Sequence, residues 1–126
     1  MKSIKFTYLI FMLIAVDAIA KDSDFYAMGR EFLDEMVEIE STEEKGMATK
    51  VSEYAESVLL GNGFTSNDLE VAGPTDQTKG LYAIYRGESS KKPVVVMAHI
   101  DVVPAVKDAW ITDPFKMTEI DGFLHG

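Results

Sequence analysis

The sequence contains no cysteine. Without cysteine the chain can form no disulfide, and it has no thiol that could serve as a nucleophile. It also lacks the G-x-S-x-G turn of serine hydrolases and the phosphate-binding P-loop. Stability must therefore come from an apolar core, formed either by these residues alone or as part of a larger protein.

Basic residues are scarce. The 126 residues include 12 Lys and Arg against 21 Asp and Glu, which gives a formal net charge of −9. Proteins that bind nucleic acid present a basic surface to the phosphates, so we expect no nucleic-acid partner. With 47% hydrophobic and 26% charged residues, the composition is that of an ordinary globular domain and argues against disorder.

Long apolar runs are almost absent. The longest, Phe6–Val16, has eleven residues, whereas a membrane-spanning helix needs about 20. This run follows two lysines and precedes the small-x-small pattern Ala18-Ile19-Ala20, which is typical of a cleavable signal peptide rather than an uncleaved anchor. We expect residues 1–20 to be a signal peptide and residues 21–126 to be secreted or periplasmic, with no stable membrane span after cleavage.

The first half of the mature segment predicts two amphipathic helices. Apolar residues recur at spacings of three and four in the first, which indicates one packed face. They are Phe25, Met28, Phe32, Met36 and Ile39. A second helical face runs from Val51 to Leu59 and ends at Gly61-Asn62-Gly63, where a glycine can adopt the left-handed capping conformation.

The second half reads as short strands separated by turns. Residues 69–73 and 81–87 are rich in branched and aromatic side chains. Val94–Ala98 has no polar alternation, which predicts a central strand buried on both faces. Asp121-Gly122 predicts a hairpin turn. The predicted fold class is α/β, with helices packed on a mixed β-sheet.

Two polar residues follow the predicted buried strand. His99 and Asp101 are two positions apart, so in an extended chain both side chains lie on one face. Imidazole is a good zinc ligand, and a neighbouring carboxylate can either bind the metal or orient the imidazole. The simpler alternative is a partly buried histidine without a ligand role, because H-x-D also occurs by chance.

Several motifs together resemble one family. The stretch PVVVMAHIDVVPA, followed by Trp110, Asp113-Pro114-Phe115 and DGFLHG at residues 121–126, is similar to the first metal-site region of the M20 zinc metallopeptidases. That family includes carboxypeptidases, dipeptidases and aminoacylases. The similarity extends over residues 25–126 and implies the N-terminal part of a zinc-exopeptidase-like catalytic domain.

The resemblance also implies roles for individual residues. It implies that His99 is a metal ligand and that Asp101 is catalytic because it orients that histidine. Two Zn²⁺ ions, or Co²⁺ or Mn²⁺ in their place, would activate a water and polarise the carbonyl of an amide bond in a peptide or N-acyl amino acid. His125 is expected to serve packing or a loop.

The family's remaining ligands and its general base lie beyond the position of Gly126. We therefore expect the reading frame to continue past this residue, and the 126-residue chain alone to be inactive. Two alternatives remain open at this point. One is a non-catalytic secreted binding module derived from such an enzyme, and the other is an incomplete gene model.

The signal-peptide interpretation predicts that the mature protein begins at Lys21. N-terminal sequencing of exported material measures this directly. Exported protein that still begins at Met1 would contradict the prediction.

Overall fold

The computed structural model describes residues 24–126. The predicted signal peptide, residues 1–20, lies outside the described residues. The chain divides into two compact units, of which the first ends at Glu35 and the second comprises Met36–Gly126. In the part of the chain that the structure describes, no helix has the length and apolar character needed to cross a membrane.

Helix α1 covers residues 24–38 and confirms the first predicted helix. Its apolar stripe is only partly covered. Phe25 and Met28 are 59% and 41% exposed, whereas Phe32 and Met36 are half-buried. The predicted packed face is therefore present only towards the C-terminal end of the helix.

Helix α2, Ala48–Gly61, confirms the second predicted helix. It ends in a Schellman motif. The Phe64 N–H donates to the Leu59 carbonyl at 3.1 Å, and the Gly63 N–H donates to the Leu60 carbonyl at 3.4 Å. Gly63 has a φ of +96°, the left-handed conformation expected for a glycine at this position.

The first sheet packs against α2. Strands β1, Leu69–Ala72, and β2, Gly80–Ala83, pair antiparallel, with Leu69 opposite Ala83 and Ala72 opposite Gly80. Val51 of α2 and Leu69 of β1 are buried, at 1% and 8% exposure. The core of this unit is therefore small and lies between α2 and the sheet.

Two polar side chains of α2 bind the backbone just before β2. Thr49 Oγ1 accepts a hydrogen bond from the Lys79 N–H at 3.0 Å, and Ser52 Oγ donates to the Lys79 carbonyl at 2.8 Å. Both side chains are buried. Since both backbone groups of Lys79 are bound by α2, the helix fixes the start of β2 in place.

A second hairpin lies at the end of the described chain. Strands β3, Thr118–Ile120, and β4, Phe123–His125, pair antiparallel around Asp121-Gly122. These two turn residues have φ values of +52° and +81°. Two successive positive φ values are the requirement of a type I′ turn, so the predicted hairpin is confirmed.

Helices and small antiparallel sheets are compatible with the predicted α/β class. In the described residues the strands form two separate two-stranded sheets rather than one mixed sheet. A parallel backbone bridge also joins Thr42 to Val102.

The prediction of a buried strand at Val94–Ala98 is wrong for this structure. These residues have no regular secondary structure. The valines are exposed, with Val94 at 89% and Val96 at 90%. A central strand is buried only when strands on both sides pair with it, and the four strands that form pair within their own hairpins.

The close approach at Gly73 gives a stability prediction. A Cβ at Gly73 would lie 2.5 Å from the Thr78 carbonyl oxygen and 2.7 Å from Lys79 Cα, whereas a Cβ at Gly80 would meet nothing within 4 Å. Lys79 is held by α2 and cannot easily move away. We expect Gly73→Ala to lower the free energy of unfolding by about 1–3 kcal/mol.

Gly80→Ala is the matched control and should leave stability close to that of the parent protein. Urea unfolding of the two purified variants measures the difference. Equal midpoints for Gly73→Ala and Gly80→Ala would contradict the packing described for this turn.

Candidate metal site at His99 and Asp101

His99 and Asp101 lie at the end of the irregular segment that follows β2. Both side chains are open to solvent, with exposed fractions of 87% and 71%. Ile100, between them, is half-buried. His99 and Asp101 thus face solvent while Ile100 is partly covered, which is the alternation that the two-residue spacing predicts. The residues before His99 nevertheless form no strand.

The backbone of this segment is bound to a turn that follows α1. Ser41 Oγ donates to the Ile100 carbonyl at 2.7 Å, and the Val102 N–H donates to the Ser41 carbonyl at 3.3 Å. The adjacent Thr42 forms the parallel bridge with Val102. Ser41 and Thr42 are 3% and 2% exposed, so their side of the contact is buried, whereas His99 and Asp101 are exposed.

The turn itself is held by its own hydrogen bonds. The Gly46 N–H donates to the Thr42 carbonyl at 3.0 Å, and the Lys45 N–H donates to Thr42 Oγ1 at 3.3 Å. Gly46 has a φ of +62°, a conformation that favours glycine. The partner of the His99 segment is therefore a compact turn that leads directly into α2.

The two candidate site residues contact each other. His99 Nδ1 lies 3.0 Å from the backbone carbonyl oxygen of Asp101 and 3.4 Å from its carboxylate oxygen Oδ1. A carbonyl oxygen only accepts hydrogen bonds, so this contact requires the proton on Nδ1. In that tautomer the Nε2 nitrogen carries the lone pair and is the atom that can bind a metal ion.

The contact differs in one respect from the sequence-based expectation. The sequence predicts that the Asp101 carboxylate either binds metal or orients the imidazole. An N–H···O hydrogen bond is typically about 2.7–3.2 Å long, so the carbonyl at 3.0 Å is within hydrogen-bond distance of Nδ1, whereas the carboxylate at 3.4 Å makes a longer contact. Both roles of the carboxylate stay predictions.

The donor atoms fit one position of a metal site. Imidazole nitrogen and carboxylate oxygen are ligands that zinc accepts in proteins. Among the described residues, however, no group of three or more His, Cys, Asp and Glu side chains is placed to hold a metal ion. Since zinc sites generally use three or four protein ligands, further donors are required to complete the site.

The remaining histidine lies on a different element. His125 ends β4, where it pairs with Thr118 and is half-buried. The structure therefore brings together His99 and Asp101, which the sequence predicted, and does not add His125 to a cluster of donors within residues 24–126. The assignment of His125 to packing stays a prediction.

Sequence reasoning missed Ser41 and Thr42. In the sequence they appear only as a polar break after the first helix. A Ser-Thr pair at such a position indicates a turn or cap, because these side chains bind nearby backbone groups. It does not indicate that Ser41 also binds a backbone 59 residues further along the chain.

The sequence is similar to parts of several curated proteins. The chain is 44% identical over 46 residues to the N-fatty-acyl-amino acid synthase/hydrolase PM20D1 of Mus musculus, a match that covers 36% of this chain and 9% of that protein. It is 36% identical over 76 residues to a succinyl-diaminopimelate desuccinylase of Rickettsia bellii, covering 59% of this chain and 19% of that protein. The resemblance to the M20 family is confirmed.

A third M20 relative is the Beta-Ala-His dipeptidase of Rattus norvegicus, 52% identical over 42 residues, or 32% of this chain and 8% of that protein. The chain thus spans less than a fifth of the length of these three M20 relatives. No family model and no solved structure matches the chain.

The small number of donors leads to a binding prediction. Because His99 and Asp101 provide at most two of the ligands that zinc requires, the isolated 126-residue chain should bind zinc weakly and show no amidase activity. Competition with a chromophoric chelator measures the zinc affinity. Sub-micromolar affinity that disappears in His99→Ala would show that the chain contains further zinc ligands and would contradict this prediction.

Proposed function

We propose that this chain is the N-terminal segment of the catalytic domain of a metal-dependent M20-type hydrolase, which cleaves an amide bond in a small peptide or an N-acyl amino acid. The observation that carries the proposal is the orientation of His99. Its Nδ1 nitrogen faces the Asp101 carbonyl, which leaves Nε2 with a lone pair on an 87% exposed ring.

The relatives support the choice of substrate class. Their names describe a synthase/hydrolase of N-fatty-acyl-amino acids, a desuccinylase of succinyl-diaminopimelate and a dipeptidase of Beta-Ala-His. The compounds in these names share an amide bond next to an amino acid. A small substrate with one amide bond is therefore the class that we assign to this protein.

In this proposal His99 binds one metal ion through Nε2. The Nδ1–H donated to the Asp101 carbonyl keeps the lone pair of Nε2 directed away from the backbone. The Asp101 carboxylate, 3.4 Å from Nδ1, strengthens the imidazole as a ligand or binds metal itself. When bound, metal ions lower the pKa of a water and polarise the amide carbonyl, and zinc is the metal that this donor chemistry favours, with Co²⁺ or Mn²⁺ as substitutes.

We also propose that the protein acts after export. The basic start, the short apolar run and the small-x-small pattern in the first twenty residues support this proposal. The site of action would then be the periplasm or the medium, and the substrate would be a compound found there.

The proposed function predicts the effect of His99→Ala in the complete gene product. Loss of an outer-shell partner typically costs about 10–100-fold in metal affinity or activity, so loss of the ligand itself should reduce kcat/KM by about 100-fold or more. Release of free amine from N-acyl amino acids and dipeptides measures the activity, and elemental analysis measures the bound metal.

His125→Ala is the control in the same assays, because it removes the other histidine of this chain without touching the proposed ligand. It should retain both activity and metal. A metal-loaded parent protein that cleaves none of these amides would favour the non-catalytic binding module, and full activity in His99→Ala would contradict the role of His99.

A further inference from the structure

We propose that Ser41 is a positioning residue for the metal site: its contacts with the backbone of Ile100 and Val102 set the orientation of His99. This inference rests on the proposed function, because it assigns Ser41 to the site at which that function would take place. Ser41 does not touch the metal-binding atoms and acts only through the backbone.

One peptide unit links Ser41 to the acceptor of the imidazole. The Val102 N–H and the Asp101 carbonyl belong to the same planar peptide group, so fixing one fixes the direction of the other. The Val102 N–H donates to the Ser41 carbonyl at 3.3 Å, and the Asp101 carbonyl accepts from His99 Nδ1 at 3.0 Å. Ser41 thus determines where the acceptor of the imidazole lies.

The preceding peptide unit is fixed as well. Ser41 Oγ donates to the Ile100 carbonyl at 2.7 Å, a short hydrogen bond. Asp101 lies between these two peptide units, so both of its neighbouring planes are held by one residue. The carboxylate of Asp101 is therefore presented from a defined backbone conformation, although the side chain is 71% exposed.

Burial explains why this role falls to Ser41. Water competes for the hydrogen bonds of exposed side chains, so these side chains do not keep a fixed orientation well. Hydrogen bonds away from water are stronger and are retained. Ser41 is 3% exposed and the adjacent Thr42 is 2% exposed. The exposed side chains of His99 and Asp101 are therefore held in place by backbone hydrogen bonds to the buried residue Ser41, and not only by their contact with each other.

A purely structural serine provides a matched comparison. Ser52 is 1% exposed, and its Oγ donates to the Lys79 carbonyl at 2.8 Å. Ser41 and Ser52 therefore make the same kind of hydrogen bond at nearly the same length. Ser52, however, joins α2 to the start of β2. Removal of either hydroxyl should lower stability, but only removal at Ser41 should alter the metal site.

The test uses the complete gene product with Ser41→Ala, Ser41→Thr and Ser52→Ala. We expect Ser41→Ala to weaken zinc binding by about 10–100-fold and to lower kcat to a similar degree with little change in KM. It should also change the visible absorption of the Co²⁺-substituted protein, because the ligand geometry differs. Ser41→Thr retains the hydroxyl and should recover most of the zinc affinity, while Ser52→Ala should bind zinc as the parent does.

Unchanged zinc affinity and an unchanged Co²⁺ spectrum in Ser41→Ala would overturn the inference, and so would equal losses in Ser41→Ala and Ser52→Ala. If Ser41→Ala does not fold, Ser41→Val serves instead, since valine has nearly the shape of the Ser41→Thr side chain but lacks the hydroxyl, and zinc affinity equal to that of Ser41→Thr would again overturn the role.

The readouts separate this inference from the proposed function. If Ser41→Ala binds zinc more weakly than the parent protein but the parent protein cleaves no amide, the positioning role is supported. The proposed hydrolase function is then contradicted. A parent protein that cleaves amides with no dependence on Ser41 would support the hydrolase and overturn the positioning role.

Discussion

The two hydrogen bonds between Ser41 and the backbone on either side of Asp101 are the interaction on which the candidate site depends. They join a buried turn after α1 to an exposed segment 59 residues further along the chain. Through the peptide unit shared by Asp101 and Val102, they also set the acceptor for His99 Nδ1. The free Nε2 nitrogen, the atom that the proposed chemistry requires, is thus a consequence of a contact that involves no metal ligand.

The features that the sequence predicted correctly are those determined by neighbouring residues. The end of α2 follows from a glycine that adopts positive φ, and the hairpin at the end of the described chain follows from Asp121-Gly122. In both cases the residue type and the backbone conformation are linked within a few positions. The two helices belong to the same class, because apolar periodicity determines them locally.

The features that the sequence did not predict depend on distant partners. Val94–Ala98 has the composition of a buried strand, but composition does not supply the neighbouring strands that burial needs, and here the valines are exposed. Ser41 is the opposite case, since an unremarkable polar residue becomes 3% exposed through a contact with Ile100. At the site, the H-x-D motif predicted which residues come together, whereas the 3.0 Å contact between the imidazole and the Asp101 carbonyl depends on the backbone conformation and was not predicted.

We infer that His99 binds metal through Nε2, with Nδ1 held by Asp101. Anomalous diffraction from crystals of the zinc-loaded complete gene product tests it most directly. We expect an anomalous peak about 2.0–2.1 Å from His99 Nε2, the usual zinc–nitrogen distance, with Nδ1 still facing Asp101. A zinc ion bound elsewhere, or bound through Nδ1 with the imidazole turned away from Asp101, would contradict the account.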